Sequence, residues 1–151
     1  MRCLAFIAAL LLAFVASRAE AQTVPGPASP AQARIYFFRP PGNSQYLAWA
    51  PVTLNGATVG AVGPGNYFFR DVAPGTYAVA VNGDMPYPDD HTVVTVAPGG
   101  TAFGEVYNIQ GYGVTYTLGP PPSVKFPNVY GVRPVDPARA TREMAGLSLG
   151  N

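Results

Sequence analysis

The chain has 151 residues, of which 11% are charged and 48% hydrophobic, and its formal net charge is +1. Charge this sparse, with no basic patch and no acidic run, excludes a phosphate-binding surface and therefore nucleic acid as a partner. The apolar fraction argues against a disordered chain, and the length suits one small domain.

The amino terminus, MRCLAFIAALLLAFVASRAEAQ, joins an early arginine to an apolar stretch from Leu4 to Ala16 and to small residues at Ala19 and Ala21 in A-x-A spacing. Residues 1–21 read as a secretory signal peptide cut between Ala21 and Gln22. The apolar stretch is shorter than the roughly 20 residues that span a bilayer. No later segment is apolar enough to span one, so no transmembrane segment is expected after the leader. An exported chain, periplasmic or extracellular, is the expectation, and it loses Arg2, Arg18 and Glu20 to become nearly neutral. The single cysteine, Cys3, leaves with the leader. Without it the remainder has no disulfide, thiolate metal site or cysteine nucleophile. Cys3 also lies too early to be acylated at the cleavage point.

Residues 22–32, QTVPGPASPAQ, have a linker's composition and no periodicity. Structure is expected from Ala33. In ARIYFFR, Ile35 and Phe37 face one way while Arg34, Tyr36 and Phe38 face the other. Apolar rings on both faces predict a strand covered on both sides. Asn55-Gly56 between VTL and ATVGAV predicts a hairpin with a type I′ turn, because both central residues need positive φ. The related stretches GPGNYFF (63–69) and APGTYAV (73–79) each predict a type II turn entering a strand, and APGGTAF (97–103) repeats the Pro-Gly punctuation.

Further strands are expected over 67–71, 77–82, 92–97, 102–109 and 113–118. Short strands at such spacing predict an all-β fold, a small antiparallel β-sandwich of about seven strands, over residues 33–122. Residues 123–151 are expected as a C-terminal extension with a short helix in DPARATREMAGLSL. There Asp136 caps, Pro137 fits the first turn, and Ala140, Met144 and Leu147 share a side.

ARIYFFRP followed by VTLNGATVGAVGPGNYFFRDVAPGTYAV resembles a bacterial secreted family catalogued as domain of unknown function 2846. The family's pattern is an R-[IVL]-Y-[FV]-[FY]-R-P strand, an Asn-Gly hairpin and a V-x-P-G-x-Y segment, and the likeness covers roughly residues 33–118. It implies a transthyretin-type or PEGA-type β-sandwich and an exported, non-catalytic module, often associated with the envelope. Some relatives are lipoproteins, and this chain departs from them in lacking the acylated cysteine. The resemblance transfers no catalytic residue.

The residues themselves offer little chemistry. Asp89, Asp90 and His91 invite a metal reading, but PYPDD has the composition of a turn, and a metal would need further converging ligands. Calcium at Asp84, Asp89 and Asp90 lacks the required spacing. Neither Ser44 nor Ser123 lies in a nucleophile elbow that would recruit His91. Asp71 and Glu105 could flank a glycosidic bond, yet Glu105 is expected to meet Arg34, Arg39 or Arg70 across the sheet instead. The chain is therefore expected not to be an enzyme and to need no cofactor.

Tyr46 and Trp49, in the Pro/Gly-rich connection between Pro40 and Pro51, form a possible binding surface. The expected alternative is that Trp49 plugs one end of the sandwich. The function expected is binding or structural, in the bacterial cell envelope and toward a protein, with a glycan as the alternative partner. An exposed Trp49 beside another ring and a polar side chain would favour sugar, whereas a long open edge strand would favour protein.

Overall fold

The computed structural model describes residues 24–27, 29–42, 47–84, 91–110, 113–125 and 127–150. The signal peptide with its Ala21–Gln22 junction, Ser44, Tyr46, Asp89 and Asp90 lie outside the described residues. The elements are β1 (Ala33–Arg39), β2 (Ala50–Leu54), β3 (Ala57–Val62), β4 (Asn66–Val72), β5 (Gly75–Val81), β6 (His91–Val96), β7 (Thr101–Asn108), β8 (Thr115–Thr117), β9 (Ser123–Lys125), β10 (Tyr130–Pro134), α1 (Pro137–Met144) and β11 (Ser148–Leu149). No helix among the described residues is long and apolar enough to cross a membrane.

The strands form a five-stranded sheet in the order β10-β7-β1-β4-β11, a four-stranded sheet in the order β3-β2-β5-β6, and the separate pair β8-β9. An all-β fold with one short helix is what the sequence predicts. The pairing is mixed rather than purely antiparallel, since β1 runs parallel to β7 and β11 parallel to β4. A parallel pair needs a long crossover, and between β1 and β7 the chain builds the whole four-stranded sheet. The strand count exceeds seven because β10 and β11 come from residues after 122. That segment completes the five-stranded sheet, so the sandwich does not end where the sequence places its boundary.

Burial follows the period-two reading of β1, every residue of which is buried. Ile35 and Phe37 join Val52, Val79, Val106 and Val132 between the two sheets. On the other face, Tyr36 and Phe38 pack with Phe103, Ala140 and Met144, beneath α1. Tyr36 stacks on Phe103 with ring centroids 5.4 Å apart. The helix begins where expected, with Asp136 accepting from the Arg139 amide at 2.9 Å and Pro137 in the first turn. It ends at Met144, and Ser148–Leu149 turn into an edge strand. Nor is the stretch before β1 wholly a free spacer: Val24 packs on this second core, and the Pro25 carbonyl accepts from the Tyr36 hydroxyl.

Asn55 and Gly56 have φ of 49° and 82°, the type I′ signature, joining β2 to β3. Replacing Gly56 with valine is expected to cost about 1 to 3 kcal/mol, because a β-branched residue resists positive φ. An unchanged urea midpoint would show that the turn does not depend on it. Gly65 and Gly99 likewise have φ of 74° and 68°, as their Pro-Gly turns require. Gly75 does not. It is already in β5, opposite Val96, so ladder pairing overrides the type II turn that Pro74-Gly75 suggests.

The register puts the connections 55–56, 73–74 and 97–100 at one end of the sandwich. The three long ones, 40–49, 82–90 and 109–129, emerge at the other.

Candidate functional site

Most of the exposed large apolar side chains lie on the long connections. Leu47, Trp49, Tyr116, Leu118 and Val124 lie on those connections, and Leu149 lies beside them on β11; Val93, on β6, is the remaining large one among the described residues. A rigid sheet scaffold with its long loops collected at one end is the usual layout of a binding domain.

Trp49 is built into this end from beneath. The carbonyl of its neighbour Ala48 accepts from two buried side chains, Arg39 Nη1 at 2.7 Å and the Tyr130 hydroxyl at 3.0 Å. Arg39 also lies over the Tyr130 ring, 4.9 Å from its centroid. The last arginine of ARIYFFRP therefore fixes the backbone that presents Trp49. The indole rests on Gly63, where an added Cβ would stand 3.0 Å from Cε2 and 3.2 Å from Cδ2. These two atoms share the bond that fuses the rings, so the approach is onto the indole face rather than its edge. Gly150 lies against the six-membered ring, near Cζ3 and Cη2. One face is thus covered, and the residue stays 51% exposed. This corrects the expectation of a core plug: Trp49 lies on the surface, and Tyr130, 2% exposed, fills the end of the core.

Beside Trp49 opens a cleft of about 220 Å³, with Pro51, Asn82, Asp84, Asn128 and Tyr130 among its walls. Asp84 and Asn128 clasp each other: Asp84 Oδ2 accepts from the Asn128 amide at 2.8 Å and from its side chain at 3.1 Å, while the Asp84 amide donates to the Asn128 carbonyl at 2.7 Å. The backbone and side-chain donors of Asn128 hold the Asp84 carboxyl below the usual carboxylate range, so it is an ionised acceptor at neutral pH. Gly83 allows the close approach, since a Cβ there would fall 2.2 Å from the Asn128 carbonyl oxygen. Each of the three long connections contributes to this one cleft.

No family model, curated protein or solved structure matches the chain.

The other candidates disperse. Asp71 takes both Arg34 Nε at 2.6 Å and Nη2 at 2.8 Å. Glu105 takes Arg133 through two bonds of 2.8 Å and Arg139 at 2.9 Å, not Arg34, Arg39 or Arg70. The reason is geometric: Glu105 faces β10 and α1, while Arg39 turns to the opposite face of β1 and Arg34 is held by Asp71. Asp71 sits opposite Arg34 and Glu105 opposite Phe38, on either side of β1. That register separates them by roughly 13 Å along the strand alone, beyond the roughly 5 to 9.5 Å of glycosidase pairs. His91 opens β6 and Ser123 opens β9, in different sheets. Among the described residues no group of three or more His, Cys, Asp or Glu could hold a metal ion.

The Asp84–Asn128 clasp was not legible in the sequence. Its two residues lie far apart in the chain, and the only local signal is Gly83 preceding an aspartate.

Proposed function

We propose that this chain is an exported, non-catalytic binding module of the bacterial cell envelope that engages its partner through the loop-bearing end of the sandwich. The observation that carries the reading is Trp49, held half-exposed by two buried donors on Ala48 and seated on Gly63, at the cleft where the three long connections meet. A large ring kept in water by so much supporting structure is better explained by contact with a partner than by stability. The leader sequence supports export, and the resemblance of residues 33–118 supports the envelope. Donation of a sheet edge is less favoured than loop-end contact. The sides of the sandwich face one another, β3 adjoining β4, and β10 adjoining β5 and β6, so long isolated edges are few.

Trp49→Ala tests this. It is expected to cost about 1 kcal/mol of stability, in line with partial burial, and to reduce capture of envelope components by the immobilised protein. A loss of about 3 to 5 kcal/mol, the cost of emptying a core site, or undiminished capture by the folded variant would refute the reading.

A further inference from the structure

We infer that the cleft beside Trp49 takes one ring of a neutral saccharide, stacked on the exposed indole and hydrogen-bonded at its rim to Asp84. The inference rests on the binding reading above and supplies its ligand class.

The geometry separates apolar and polar contacts in the way a sugar does. A pyranose offers C–H groups on its faces and hydroxyls around its edge. Partially positive C–H groups suit the electron-rich face of an aromatic ring, and Trp49, with one face on Gly63, keeps half its surface exposed to take them. The rim hydroxyls need acceptors that are already in place. Asp84 supplies one: its Oδ2 is occupied by both Asn128 donors, and Oδ1 has no partner among the described residues, so it is left to accept from a hydroxyl. Because the clasp fixes the carboxylate before any ligand arrives, little ordering remains to oppose binding. Asn82, exposed at the same cleft, adds an amide that both donates and accepts.

Size and charge narrow the class. At about 220 Å³ the cleft is smaller than the roughly 300 to 1,000 Å³ that encloses a drug-sized ligand, and it is open, so a single ring of a longer chain fits its scale. Among the described residues Asp84 is the only charged one lining it, and a negative lining disfavours uronates and phosphorylated sugars.

Trp49 is the only tryptophan in the chain, so emission excited selectively in tryptophan reports this residue. The full mature chain is titrated with neutral tetrasaccharides of N-acetylglucosamine, glucose and mannose, and with a tetragalacturonate, through the millimolar range. A saturable emission shift with at least one neutral oligomer is expected, and none with the uronate. Asp84→Asn is expected to weaken that affinity about tenfold, as loss of a charge-assisted hydrogen bond does, and to lower the urea midpoint only slightly, since the same carboxylate accepts from Asn128. If Asp84→Asn is unstable, Trp49→Ala, followed by amide chemical shifts, serves instead and should abolish binding. An emission shift with none of the neutral oligomers, a response to the uronate as strong as to them, or wild-type affinity in a folded Asp84→Asn would overturn the inference. Should capture of an envelope component still depend on Trp49 while no sugar binds, the saccharide class falls and the binding reading stands. If neither depends on Trp49, both fall.

Discussion

Replacing Asp71 with alanine is expected to cost about 3 to 5 kcal/mol, the usual result of leaving one member of a buried ion pair alone. Arg34 is only 7% exposed, and its guanidinium forks onto Asp71 through Nε and Nη2 while lying 3.9 Å from the centroid of Phe69. The hydrogen bonds to Asp71 raise the Arg34 pKa in the native protein, and even without them a guanidinium is too basic to escape by losing its proton. Without the carboxylate, its described polar contacts are a 3.5 Å approach to the Pro25 carbonyl and the neighbouring Tyr36 hydroxyl. A buried charge with that little compensation destabilises the native state. Urea unfolding measures the loss as a lower midpoint at constant slope. Changing both partners together, Arg34→Met with Asp71→Leu, should recover most of it, because no charge is then stranded. A single-mutant loss below about 1 kcal/mol would mean that solvent screens the pair as it does surface ion pairs.

Features set by near neighbours in the chain were legible before any coordinates. The alternation in ARIYFFR predicts two covered faces because a strand must send successive side chains to opposite sides. Asn55-Gly56 predicts its turn because few other residues accept positive φ twice in succession. Asp136-Pro137 marks the start of α1 by the same local logic. What was missed depends on partners distant in sequence. The run YGVRP of β10 is short and ends in proline, a residue suited to an edge strand and a poor advertisement for one. Missing β10 also hid Arg133, and hence the real partner of Glu105. Gly75 resembles a turn residue until Val96 is known to pair with it. Trp49 resembles a core plug until Gly63, from another loop, is seen beneath its ring.

The same dependence on distant partners governs the centre of the sandwich. Phe37 is fully buried, opposite Phe68 on one neighbouring strand and Gly104 on the other. Its ring centroid lies 5.2 Å from that of Phe68, and a Cβ added to Gly104 would stand 3.1 Å from its Cδ1. The ring therefore spreads over a gap left by a residue with no side chain. Phe37→Ala is expected to cost about 3 to 5 kcal/mol, from lost transfer energy and from the cavity. Gly104 has nothing to lean into that space, so collapse should recover little. Gly104→Val alone should also destabilise, because its methyl groups would press on the Phe37 ring and on Val132, whose Cγ2 lies 3.4 Å from the added Cβ position. Combined, the two changes should cost less than their separate losses added together, by a coupling of about 0.5 to 3 kcal/mol, since the valine enters the volume the ring vacates. Denaturant unfolding of the four proteins in this cycle gives the coupling directly. Strict additivity would mean that Phe37 and Gly104 do not share a packing site.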